Sequence, residues 1–176
     1  MHPLYLLVIL SVATLTLSGC GADEVAVEPP SDLALVYTWR EGSLPPPYHY
    51  EYTISLQPDG AGELVFEPGY SGGATPVWTE PFTVSVDQRA SLYTLLRDKG
   101  VLSREWPPSP ELSVGGSTEW LQVTAGGKQV QIPPQLQPAD TTAMEPVYAS
   151  INRLVPADLW ARVRQQHQEY EDSQQP

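Results

Sequence analysis

The sequence predicts an α+β domain, with an antiparallel sheet of about five or six strands packed by one central helix and helical segments added at the carboxy terminus. Three observations lead there. Tyr48, Tyr50, Tyr52, Ile54 and Leu56 alternate with His49, Glu51, Thr53 and Ser55, the period of two expected of a strand with one buried and one wet face. Ser85, Asp87 and Gln88 open a helix-like run that Gly100 closes. Two β-forming runs then flank Gly126 and Gly127, the composition of a tight hairpin.

Taken in order, the first strand is expected over residues 33–40 (LALVYTWR), which are rich in β-formers and bounded by turn residues. Residues 41–47, with Gly42 and three successive prolines, read as an extended, non-helical link. The alternating strand covers 48–56, Pro58, Asp59 and Gly60 supply a turn, and 63–67 returns as the second arm. A loop over 68–76 leads to a short strand at 77–83. Pro81, with no amide hydrogen to give, places that strand at a sheet edge. In the helix after Ser85, Val86, Arg89, Leu92, Leu95 and Leu96 approximate an i, i+3, i+4 stripe, with Tyr93 beside it. A Pro-rich loop at 103–110 precedes strands at 118–125 and 128–132, which Pro133 and Pro134 stop. After a polar link, residues 146–154 resume helical spacing through Val147, Ile151 and Leu154. Pro156 at N1 opens a second segment with Leu159, Trp160, Val163 and Tyr170 on one face, and 171–176 reads as a frayed polar tail.

Composition narrows the function classes. The chain of 176 residues has 21 Asp and Glu against 9 Lys and Arg, a formal net charge of −12. Nucleic acid is therefore not an expected partner, because binding a polyphosphate depends on Lys and Arg displacing condensed counterions. One cysteine excludes a disulfide framework and a Cys-based metal site, and no metal or cofactor is expected. A hydrophobic content of 41% is too high for a disordered acidic chain, and the length suits one folded domain.

Residues 4–17 are almost all apolar or small. That run is shorter than the roughly 20 residues a membrane-spanning helix needs and suits the core of a secretory signal. Its n-region holds His2 and no Lys or Arg, and it ends in Leu17, Ser18, Gly19 and Cys20. This LSGC resembles the lipobox of bacterial lipoproteins. The resemblance implies cleavage between Gly19 and Cys20, a diacylglycerol thioether on Cys20, and often an acyl chain on the new amine. Each buried methylene contributes about 0.8 kcal/mol, so two or three chains anchor durably. Position 21 is Gly rather than the Asp that resembles an inner-membrane retention signal in enterobacterial lipoproteins. The expected location is the cell envelope, on the periplasmic side of an outer membrane where the organism has one, otherwise on the outer face of the cytoplasmic membrane. The chain then divides into a leader (1–19), a lipidated cysteine with an acidic, Pro-containing tether (20–32), a single globular domain (33–170) and the tail (171–176).

The succession "TISLQPDGAGELVF", "FTVSVDQRASLYTLLRDKGVL" and "EWLQVTAGGKQVQIP" is similar to that of small bacterial α+β domains of the emfourin type, over residues 37–133. Some of those domains inhibit thermolysin-like metalloproteases, so the resemblance implies a protein partner of that kind. The glycine-rich turn associated with such domains after the first strand is reduced here to Gly42 and a proline run, and the two C-terminal helical segments are additional. No inhibitory residue carries over.

Residues 69–73 (Gly69, Tyr70, Ser71, Gly72, Gly73) match the GxSxG nucleophile elbow, and Asp140 and His167 follow in the order Ser, Asp, His. The elbow needs a parallel strand before it and a helix after it, whereas Ala74, Thr75 and Pro76 continue a loop between antiparallel strands, so backbone geometry is the expected use of the glycines. His49 and Glu51 share a strand face that reads as the wet one, and His167 with Glu171 is an i, i+4 pair on an exposed helix. No HExxH, GxxxxGK[ST] or strand-to-helix GxGxxG occurs. Most of Trp39, Trp78, Trp120, Trp160 and the Tyr48, Tyr50, Tyr52 ladder read as packing. Trp106, in the proline-stiffened loop "SREWPPSPE", and Tyr70 are the expected contact surface.

The expected protein is a lipid-anchored, non-enzymatic envelope domain that binds a protein or another envelope component. The emfourin likeness implies the alternative of inhibiting an exported metalloprotease, and Ser71 keeps a serine hydrolase as a remote third.

Overall fold

The computed structural model describes residues 27–70, 75–110 and 115–175. The leader, Gly19, Cys20 and Ser71 lie outside them. The elements are β1 (Ala34–Arg40), β2 (Tyr50–Leu56), β3 (Ala61–Pro68), β4 (Trp78–Thr83), α1 (Val86–Asp98), β5 (Thr118–Ala125), β6 (Lys128–Ile132), α2 (Pro138–Asn152) and α3 (Ala157–Ser173). The strands make one six-stranded antiparallel sheet in the order β4-β3-β2-β1-β5-β6. The fold is α+β, and the Pro81 strand β4 lies at an edge as its missing amide hydrogen requires.

Strand periodicity decides which face is covered. Leu35, Tyr37, Ile54, Leu56, Leu64, Phe66, Phe82, Leu121, Val123 and Ile132 share one face and enter a single core. Leu92 and Leu96 of α1, Met144, Val147, Tyr148 and Ile151 of α2, and Leu159 and Val163 of α3 join the same core. The helices thus cover one side of the sheet. The other side carries Val36, Thr38, Thr53, Ser55 and Gln122 half-buried, with the Thr38 and Thr53 hydroxyls bonded across the strands at 3.1 Å.

Local chemistry sets the ends of the elements. Ser85 accepts from the Gln88 amide while the Gln88 side chain accepts from the Ser85 amide, a complete capping box for α1. Val86, expected in the buried stripe, is 73% exposed, because burial begins one turn later at Ala90. Gly126 and Gly127 have φ of 60° and 71°, the left-handed pair a two-residue hairpin needs. Asp32 accepts from both of their amides at 2.7 and 2.6 Å, which holds its carboxyl below the ordinary range. The structured domain therefore includes Asp32, the last residue assigned to the tether.

Several boundaries move. Tyr48 is exposed and precedes β2, and residues 41–47 do not run extended, since the Tyr48 amide closes a turn onto the Pro45 carbonyl at 3.1 Å. The link before residue 146 is the start of α2, with a proline in its first turn and Pro146 inside. Pro146 leaves the Thr142 carbonyl without its helical donor, and Thr142 is an exposed residue, so the cost is moderated by solvent. Pro156 is the N-cap of α3 rather than N1, and α3 continues through Ser173, so the tail is helical to that point.

Candidate functional site

Cross-strand register builds an aromatic row at one end of the covered face. Trp39 of β1 pairs with Tyr52 of β2, Tyr52 with Phe66 of β3, and Phe66 with Trp78 of β4. Trp39 and Tyr52 stack with ring centroids 5.3 Å apart, Phe66 and Trp78 at 5.7 Å, and Tyr50, one step nearer the strand end, stacks on Phe66 at 5.2 Å. Such pairs add to burial through offset stacking and fix the rings in place.

Helix α3 crosses this row with Trp160, Arg164, His167, Gln168 and Glu171 on one face, spaced i, i+4, i+7, i+8, i+11. Trp160 meets Tyr52 edge-on at 4.9 Å and donates its indole N–H to the Asn152 carbonyl at 3.1 Å, tying α3 to the end of α2. His167 lies over Tyr50 and Phe66, with ring centroids 5.0 and 5.5 Å apart. Between helix and row opens a cleft of about 540 Å³, within the usual range for ligand sites. Its floor is Tyr50, Tyr52 and Phe66, and Asn152 closes one end.

A polar network holds that end. Tyr52 donates to Asn152 Oδ1 at 2.9 Å, Asn152 donates to the Tyr148 carbonyl at 2.9 Å and to the Tyr37 hydroxyl at 3.4 Å, and Tyr37 donates to Glu119 Oε1 at 2.5 Å. Burial pushes the hydroxyl pKa of Tyr37, Tyr52 and Tyr148 well above the ordinary tyrosine value, so all three stay neutral, and Tyr37 and Tyr52 act as donors. Burial also raises the Glu119 carboxyl. Tyr148, whose buried hydroxyl has no partner among the described residues, and Glu119 also line a separate cavity of about 520 Å³ beside Pro133, Pro134 and the start of α2.

The chain matches no protein-family model and no curated protein.

At the same end of the sheet, on the opposite face, a charged cluster is buried. His49 is 1% exposed and Glu51 8%, which overturns the wet-face expectation for this pair. Their cover is the 41–48 loop. The Gly42 carbonyl lies 3.0 Å from His49 Nδ1, Tyr70 stacks on the imidazole at 3.8 Å, and Tyr70 donates its hydroxyl to the Leu44 carbonyl at 2.7 Å. Arg40 grips Glu51 through Nε at 2.9 Å and a terminal nitrogen at 3.1 Å. His49 Nε2 is 3.3 Å from the same carboxylate. Both ring nitrogens are thus occupied by acceptors within the protein.

The expected contact surface divides. Tyr70 is 44% exposed, but Trp106 is only 6% exposed and belongs to the core. Its indole N–H donates to the Val101 carbonyl at 3.1 Å, and the Arg104 guanidinium covers its ring at 3.6 Å. His167, expected on an exposed helix, has a side chain only 12% exposed, 3.4 Å from Glu171. For GxSxG, β3 runs antiparallel to both neighbours and leads to β4, so the strand-to-helix elbow is missing. Asp140 sits in the first turn of α2, paired with Arg104 at 2.9 Å, apart from the partners of His167. Among the described residues no three His, Cys, Asp or Glu side chains gather as a metal site, and no helix is long and apolar enough to cross a membrane.

Sequence reasoning missed Arg164, Gln168 and Asn152. The first two had a signal, the one-face spacing of 160, 164, 167, 168 and 171. Asn152 had none, because its role depends on how the α2–α3 turn meets Tyr52 and Tyr37.

Proposed function

We propose that this protein is a lipid-anchored envelope protein whose folded domain binds an envelope component through the cleft between α3 and the aromatic row. The LSGC sequence and the acidic tether support the anchor. The observation that carries the binding reading is the position of the cleft. The chain enters the sheet at Ala34, in the register row next to Leu35 and Leu56, whereas Tyr52 pairs with Trp39 and Tyr50 pairs beyond it with Pro68. Four to six residues of strand, roughly 13–20 Å, separate entry point and cleft. A tether joined at one end of the sheet would thus attach away from the cleft, leaving its mouth clear of the chain that leads to the anchor. The lining offers aromatic rings, an amide, a guanidinium, an imidazole and a carboxylate, groups suited to holding a ligand in one orientation.

Two measurements on the full chain in its native envelope test this reading. Cys20→Ser is expected to abolish lipid labelling and membrane retention. A photo-crosslinking amino acid at Gln168, on the cleft rim, is expected to capture an envelope component that the same probe at Gln129, on β6, does not. Retention of the Cys20→Ser protein, or equal capture at both positions, overturns it. An adduct with an exported metalloprotease would support the inhibitory reading instead.

A further inference from the structure

We infer that the cavity between β5, the 133–138 link and α2 takes a primary alkylammonium ion, its N–H donors on Glu119 and the Tyr148 hydroxyl and its chain against Pro133, Pro134 and Leu136. This is a second site, which shares no lining residue with the cleft under α3. Charge supplies the first half of the argument. Glu119 is the one charged residue in the lining of this cavity of about 520 Å³, and no Lys, Arg or His stands beside it there. The carboxylate is half-buried, its Oε1 accepts from the Tyr37 hydroxyl, and no cation pairs with it among the described residues. The charged side chain that acts on it, Glu145, has the same sign. Such a carboxylate, on a chain of net charge −12, favours a cation and repels an anion.

Hydrogen-bonding capacity supplies the second half. Tyr148 is 4% exposed, and its hydroxyl has no partner among the described residues. A buried polar group in that state is costly, and a ligand donor that reaches it removes the cost. Thr141, two turns earlier on the same face of α2, gives its hydroxyl hydrogen to the Gln137 carbonyl at 3.3 Å, so its oxygen has only lone pairs to offer. Pro133, Pro134 and Pro138 line the wall without a backbone N–H, adding carbonyls and ring methylenes but none of the donors an anion needs. Scattered acceptors suit the three N–H donors of a point-charged ammonium. A guanidinium fork wants both oxygens of one carboxylate, and Tyr37 already holds one of them. The binding also has a pH signature. Burial, with Glu145 adding to it, raises the Glu119 carboxyl above 4.5, while Tyr37 and Tyr148 beside it stay neutral. An ammonium binds the ionised carboxylate, so affinity falls as pH falls through the raised value and levels off above it.

NMR titration of the full chain in a non-ionic detergent tests the inference. The probes are butylammonium and Nα-acetyl-lysine amide, with butylguanidinium, tetramethylammonium, butanol and butyrate as comparisons. An ammonium probe is expected to shift the Leu136 and Tyr148 amides saturably and leave the Gln168 amide in place. It should bind at least about tenfold tighter than tetramethylammonium, which has the charge without the donors, and than butanol, which lacks the charge. Saturation by either ammonium probe supports the inference, and the tighter of the two tells a free amine from the lysine side chain of a partner protein. Glu119→Gln is expected to weaken binding at least about tenfold. Tyr148→Phe, which removes only the unpartnered hydroxyl, should weaken it about threefold to tenfold, and Glu119→Gln decides the matter should Tyr148→Phe fail to fold. Absence of saturation by both ammonium probes, any comparison compound as the tightest ligand, equal shifts at Gln168, unchanged affinity in folded Glu119→Gln or Tyr148→Phe, or affinity that rises as pH falls overturns it. Capture at Gln168 is independent of all these outcomes, so the cleft reading stands or falls separately.

Discussion

Trp106 separates a contact surface from a packing anchor, and its substitution has a calculable effect. The ring is 6% exposed, donates to the Val101 carbonyl at 3.1 Å and is covered by Arg104 at 3.6 Å. Truncating a buried Trp to Ala costs about 3–5 kcal/mol, through lost transfer energy and the cavity left behind. The lost indole hydrogen bond, about 0.5–1.5 kcal/mol, lies within that total. The Arg104 contact adds little, because that side chain is 43% exposed and already paired with Asp140. For a domain of this size each kcal/mol moves Tm by roughly 2–4 °C, so Trp106→Ala is expected to lower Tm by roughly 6–20 °C. Trp106→Phe keeps a buried ring and loses chiefly the hydrogen bond, and should fall by only about 1–6 °C. Thermal and urea unfolding followed by circular dichroism measures both. A surface contact residue would change stability by no more than about 0.5 kcal/mol. That result for Trp106→Ala would refute the burial argument and return Trp106 to the candidate contact surface.

Four further outcomes are expected. Gly62→Ala should destabilise by about 1–3 kcal/mol in urea unfolding, although alanine suits a strand backbone better, because a Cβ there overlaps the Phe82 ring across the β3–β4 pair; adding Phe82→Leu should recover part of the loss. Asp32→Asn should lower Tm at neutral pH by weakening the two charge-assisted bonds to Gly126 and Gly127. Since the folded carboxyl is held below its ordinary value of 3.8, the Asp32 contribution is full above that value, and the gap between wild type and variant should close as pH falls through the lowered folded value. Glu119 has the opposite sign: burial raises its carboxyl above 4.5, so stability falls as pH rises from there through the raised value, and Glu119→Gln should raise Tm at neutral pH while keeping an acceptor for Tyr37. Glu51→Ala should cost about 1–3 kcal/mol by leaving His49 and Arg40 without their shared acceptor, and the less perturbing Glu51→Gln should cost less.

The sheet was legible because strand periodicity is a local property. Alternation from Tyr50 to Leu56, the PDG turn, Pro81 at an edge and the Gly126–Gly127 hairpin each depend on a few adjacent residues, and each reads as it folds. The first half of α2 was illegible for a physical reason. Pro138, Asp140, Thr141 and Thr142 are weak helix formers in isolation, and the burial of Met144 and Val147 in the core makes their segment the first half of a helix. The cleft was half legible, its floor through the tyrosine ladder and its roof through unused spacing along α3.

His49 and Glu51 show where the period-two rule fails. Parity puts Glu51 on the face without helices, as the alternation requires, and parity alone would leave it wet. What covers it is a proline-rich loop that turns at Pro45 and is pinned through Leu44 by Tyr70, which stacks on His49 from 21 residues further along the chain. Such a cover costs desolvation of a histidine, a carboxylate and part of a guanidinium, and the fold offsets that cost by giving every one of them a partner. Tyr70 is thereby explained without a ligand. Its ring and hydroxyl hold the loop over the cluster, so of the two residues expected on the contact surface, one anchors a loop and the other is a core side chain.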